Sequence, residues 1–105
     1  GINAEYGEMS SDVDEYLKAI TQCKGVDKII IMSGDGFPIK SSTTEDVSNY
    51  TYTFWHLSKK VQQLIKTIEY ADEVRLVRLR SKKNEILMAI DNQYIMLVIQ
   101  NPKVE

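Results

Sequence analysis

Cysteine occurs once, at Cys23, and histidine once, at His56. A lone thiol excludes an intrachain disulfide and a thiolate metal cluster, so a reducing compartment is expected. The two residues also make a poor catalytic couple. A Cys–His nucleophile needs both groups in contact and a third residue to orient the base, and Cys23 and His56 fall on different predicted helices. No set of His, Cys, Asp and Glu has zinc spacing, so neither a metal nor a cofactor is expected. A basic excess is missing too: the net charge is -2, which argues against nucleic acid as partner. The longest apolar runs, Ile29–Met32 and Tyr94–Ile99, fall far short of the ~20 residues that cross a bilayer, which excludes insertion by a helix. The first residues are polar and acidic, unlike a secretory signal. Repeats, low-complexity stretches and linkers are absent.

What is present suits one domain of 105 residues. Gly1–Met9 is read as a flexible tail and residues 10–105 as the single domain. Ser10 and Ser11 offer N-caps, and Asp12, Asp14 and Glu15 favour the positive end of a helix. Val13, Tyr16, Leu17 and Ile20 then share one helical face, and Gly25 suits the C-cap. Lys28–Met32 and Phe37–Ser42 flank Ser33-Gly34-Asp35-Gly36, which predicts a hairpin. Pro38 lacks an amide donor, so the second of these strands belongs at an edge or carries a bulge.

Val47–Ile68 has the clearest periodicity. Val47, Tyr50, Phe54, Leu57, Val61, Leu64 and Ile68 recur at three- and four-residue steps with no proline or glycine between them. Asp46 and Ser48 are both eligible caps. A helix of this length spans ~33 Å, more than one small core needs to cover it. Most of the stripe reads as core, and the surplus length, with Tyr52 and Trp55 off the stripe, leaves room for a helix–helix contact with a second subunit. Val74–Pro102 then holds three apolar runs separated by Ser81–Asn84 and Asp91–Gln93, an antiparallel meander. The order α-β-β-α-β-β-β predicts an α+β fold, a five-stranded antiparallel sheet with a helix on each face.

Reaction chemistry is not signalled. The Ser33–Gly36 loop lacks the lysine and following Ser or Thr of a P-loop, and a tight turn explains its glycines. It also lacks the spaced carboxylates of a calcium loop. Glu85 and Asp91 sit at strand ends beside turns, where an acid is a solvated residue; no convergent pair of carboxylates is indicated, and no catalytic residue is assigned. Arg75, Arg78, Arg80, Lys82 and Lys83 crowd into nine positions without interleaved aromatics, which suits a solvated strand face, protection of an edge, or pairing with acidic segments. The phase of this segment is unusual. Val74 and Leu76 point to one face and Val77 and Leu79 to the other, so the strand is apolar on both sides, as if it becomes central when two sheets join.

Arg78-Leu79-Arg80-Ser81-Lys82-Lys83-Asn84-Glu85-Ile86 and Val98-Ile99-Gln100-Asn101-Pro102 resemble the C-terminal half of the roadblock-type dynein light chains, of the roadblock/LC7 family. Lys24-Gly25-Val26, Ile29-Ile30-Ile31 and Gly36-Phe37-Pro38-Ile39-Lys40-Ser41 extend the similarity over about Val13–Pro102. Tyr50, Tyr52 and Trp55 depart from it. The resemblance implies a non-catalytic homodimer in which the third strands pair antiparallel into one continuous ten-stranded sheet. On that reading Val74, Arg75, Leu76, Val77, Arg78, Leu79 and Arg80 form the dimer strand, and Leu57, Val61 and Leu64 line a contact between the two long helices. It further implies binding of the dynein intermediate chain, assembly and cargo attachment in microtubule-based transport, and a cytoplasmic, microtubule-associated location. Relatives that end in an extra helix pack it beside the first helix, so a partner helix is expected here beside Tyr16, Leu17 and Ile20. The alternative the wider superfamily implies is a scaffold or regulator of a small GTPase.

Overall fold

The structure is a computed structural model and describes residues 25–102. Five strands and one helix follow one another as β1 (Val26–Ser33), β2 (Pro38–Ser41), α1 (Val47–Ile68), β3 (Leu76–Arg80), β4 (Glu85–Ile90) and β5 (Tyr94–Gln100). The strands form one antiparallel sheet in the order β2-β1-β5-β4-β3. The helix expected before Gly25 lies outside the described residues, as does Cys23. Among the described residues there is therefore one helix on the sheet.

The central strands are the apolar ones. Ile29, Ile30, Ile31 and Met32 of β1 and Leu97, Val98 and Ile99 of β5 are all buried, so both faces of β1 and β5 are covered. Register assigns the faces: Ile30 opposes Leu97, Met32 opposes Ile95, and Ile90 and Met88 oppose Ile95 and Leu97 in turn. These six residues form the core on the helix side, against which Tyr50, Phe54, Trp55, Leu57 and Val61 of α1 pack.

The hairpin stands where its turn residues place it, and Pro38 is on the sheet's outer strand, opposite Met32 beside a bulge. Its turn is bound to its surroundings more closely than tight-turn chemistry requires. The Gly34 amide donates to the Gln93 carbonyl at 2.8 Å, and the Trp55 indole Nε1 donates to the Gly34 carbonyl at 2.9 Å. Gly36 has φ 91°, a left-handed value, and a Cβ there would lie 2.8 Å from Trp55 Cγ. Trp55 is thus no spare apolar patch; it clamps the hairpin turn to α1.

The helix spans Val47–Ile68 as its periodicity predicts. Its start differs from expectation. Asp46 holds the N-cap position in the left-handed region at φ 53°, with no side-chain hydrogen bond to the first turn. Its carbonyl accepts the Tyr50 amide at 3.0 Å. Beyond the helix, Lys66 Nζ donates to the carbonyls of Tyr70 and Asp72, each at 3.2 Å, and so braces the connection into β3.

Candidate interaction surface

β3 is the last strand of the sheet, with β4 on one side and an open edge on the other. Its pairing runs from Leu76 opposite Ala89 to Arg80 opposite Glu85. In an antiparallel ladder, alternate residues direct both backbone groups to the same neighbour. Arg75 O accepts the Ile90 amide at 2.9 Å, and the Ser81 amide donates to Asn84 O at 2.8 Å. Residues 75, 77, 79 and 81 are therefore the ones bonded toward β4. Leu76, Arg78 and Arg80 turn their N–H and C=O groups to the open edge, a template for another strand.

The side chains around this edge fall into two groups. Val77 packs against the helix-side core, whereas Leu76 stands on the other face and is 58% exposed, so β3 is apolar on both faces as its sequence predicts. Leu79 is 42% exposed. Val74 differs from expectation: it precedes the strand, which begins at Leu76, and packs into the helix-side core instead of sharing Leu76's face. Leu57 and Val61, expected at a helix–helix contact, pack against the chain's own sheet. A helix side chain already seated in its own core has only its remaining surface to offer. Leu64 and Ile68 continue the same line at three- and four-residue spacing, yet they are 59% and 76% exposed. Ile68, which its place on the stripe predicts as core, thus belongs with Leu64 as uncovered apolar surface.

The charges near the edge are partly spoken for. Arg78 pairs with Glu85 across the β3–β4 ladder, so Glu85 is an ion-pair partner and not simply a solvated end residue. Arg75 pairs with Glu73 at 3.0 Å. Arg80, Lys82 and Lys83 make no ion pair among the described residues. Asp91 is structural: its carboxylate accepts the amides of Gln93 and Tyr94 at 2.8 and 2.7 Å and closes the β4–β5 turn. An open depression of about 150 Å³ lies beside the edge, with Lys66, Asp72, Glu73, Arg75 and Asp91 among its lining.

His56 is stacked edge-on between Tyr52, at 4.5 Å, and Trp55, at 5.0 Å between ring centres. Among the described residues no three His, Cys, Asp or Glu side chains come together to hold a metal. No helix among them is long and apolar enough to cross a membrane. Tyr16, Leu17 and Ile20, expected to receive a partner helix, lie outside the described residues.

Comparison with known proteins places this geometry. A roadblock/LC7 domain from Streptomyces avermitilis superposes with a TM-score of 0.74 at 10% identity, covering 84% of this chain and 77% of the other. MglB of Myxococcus xanthus gives 0.68 at 15% identity, over 76% of this chain and 68% of its own. The gliding protein MglB of Thermus thermophilus gives 0.74 at 8% identity, over 87% and 72%. At such identities these likenesses speak for the fold. The family model of the Roadblock/LC7 domain matches residues 12–101, nearly the whole chain, and the chain belongs to that family.

Proposed function

We propose that the protein is a non-catalytic roadblock-type scaffold that acts as a homodimer and serves a small GTPase. The observation that carries the dimer is the β3 edge: outward backbone groups at Leu76, Arg78 and Arg80, flanked by exposed Leu76 and Leu79, with Leu64 and Ile68 uncovered on the helix side. An open edge that exposes leucines is an aggregation hazard, and pairing with a second copy removes it. The GTPase reading draws on the wider roadblock superfamily, and bacterial gliding proteins of this fold support it over a motor subunit. One MglB is recorded in a tetrameric arrangement, which supports assembly of copies as the working form.

The dynein light-chain reading, with the intermediate chain as partner and a microtubule-associated location, retains one specific support, the wording of Arg78–Ile86. Both readings share the dimer and differ in what it holds. Sedimentation at micromolar concentration is expected to give a mass near twice 12.1 kDa. Direct binding then separates them. A small GTPase recovered with the protein from native extract should bind the purified dimer differently in its GDP and GTP forms. An intermediate-chain segment that binds tightly while GTPases do not would reverse the choice.

A further inference from the structure

The dimer reading leaves open how two copies of β3 line up, and the charge pattern decides between the registers. Only Leu76, Arg78 and Arg80 have backbone groups free to bond across the edge, so these residues must oppose one another in a symmetric antiparallel pair. That parity puts one residue of β3 on the two-fold axis. An axis at either end of the strand pairs a single strand residue, which leaves Val77, Arg78 and Leu79 as candidates.

An axis at Leu79 sets Arg78 opposite Arg80 twice, and one at Arg78 sets Arg78 opposite itself. Like charges directly opposite destabilise a sheet. An axis at Val77 instead sets Val77 against Val77, Leu76 against Arg78 and Leu79 against Arg75. It opposes no like charges, although fewer strand residues pair than with the axis at Arg78. What compensates lies just beyond the strand. Continued past the strand ends, the register with Val77 on the axis sets Lys82 opposite Asp72 of the second copy, at the rim of the mixed-charge depression; an axis at Arg78 sets Lys83 opposite Glu73 but keeps Arg78 opposite itself. Lys82 and Lys83 have no ion pair of their own among the described residues.

We infer that the two copies pair with Val77 on the two-fold axis, and that the basic turn Lys82–Lys83 of each copy docks on Asp72–Glu73 of the other to lock that register. Opposite charges at an interface rim fix alignment more than they add affinity. The lock occurs twice per dimer by symmetry. This inference rests on the homodimer proposed above.

Two experiments test it in the full chain with Cys23→Ser. Val77→Cys should form a disulfide-linked dimer on mild oxidation, since facing Cα atoms in a pair without hydrogen bonds are about 4.5 Å apart, within disulfide range. Arg78→Cys and Leu79→Cys should not link to themselves. A dimer that links through position 78 or 79 in place of 77 overturns the register and leaves the dimer standing. A monomer by sedimentation overturns the dimer itself. The second test needs no cysteine. Lys82→Glu with Lys83→Glu in one chain, and Asp72→Lys with Glu73→Lys in another, each set like charges together in a homodimer. Either should dimerise about tenfold more weakly at low salt, the scale of a few partly exposed ion pairs. Mixed, the two chains restore both locks, so native mass spectrometry should find mainly the heterodimer. A statistical mixture would overturn the lock.

Discussion

Gly36 sits at φ 91° beneath Trp55, and two separate obstacles meet a side chain there. The left-handed backbone strains any L residue, and a Cβ would press to 2.8 Å on Trp55 Cγ, an atom close to the helix backbone that cannot swing away. Gly36→Ala is expected to lower stability by about 1–3 kcal/mol in a denaturant titration, since strain and steric overlap add. Asp46 is the opposite case. It holds a left-handed φ of 53° without the side-chain cap that would justify an aspartate. Asp46→Gly should therefore leave stability unchanged or raise it by up to about 1 kcal/mol in the same titration. A loss above that would show that the carboxylate supports the helix by another route. Sequence makes Asp46 an eligible cap, and it holds the N-cap position without the side-chain bond, but the role of Gly36 is not visible in sequence. The glycine and the tryptophan are far apart along the chain, and nothing local says that one will close over the other.

At the scale of the element, α1 divides into a seated part and an overhanging part. Leu57 is half-buried against the core, and Leu57→Ala should cost about 1–3 kcal/mol. Leu64 and Ile68 stand largely in solvent, so Leu64→Asp with Ile68→Asp should lower the stability of the isolated subunit by only about 1–2 kcal/mol, mostly from placing acids in the last turns of the helix. The same pair of substitutions should convert the dimer to a monomer in sedimentation. An unaltered dimer would remove the helix from the proposed interface. Here the sequence was informative. The 3.6-residue period placed the helix at Val47–Ile68, because an amphipathic stripe uninterrupted by proline or glycine has few other solutions. The same period could not show where along the stripe the sheet ends, so Leu57, Val61 and Leu64 read as equivalent. The meander was equally legible, since its turn residues and apolar runs agree with the strands at Glu85–Ile90 and Tyr94–Gln100. The start of β3 was not, because Val74 continues the apolar run although it turns into the core before the ladder begins.

For the whole molecule, the strand order makes the two ends of the sheet unlike. At one edge β2 is four residues long, has all its side chains at least partly in solvent and carries Pro38, features that discourage strand addition. The other edge, β3, has no proline and exposes leucine on both sides of a bonding-competent backbone. The proposed assembly is thus directed to one end. If pairing there is coupled to folding, the melting temperature should rise with protein concentration, and it should lose that dependence in the Leu64→Asp, Ile68→Asp variant. A melting temperature independent of concentration in the unaltered protein would argue that the subunit folds alone. The molecule also carries its own optical gauge. Trp55 is the sole tryptophan, and it is wedged at the β1–β2 turn, with β5 and β4 between that hairpin and the β3 edge. Its emission should therefore shift when the hairpin leaves the helix and stay constant when subunits separate. Dilution followed in parallel by fluorescence and by light scattering would then time the two events separately, without a label.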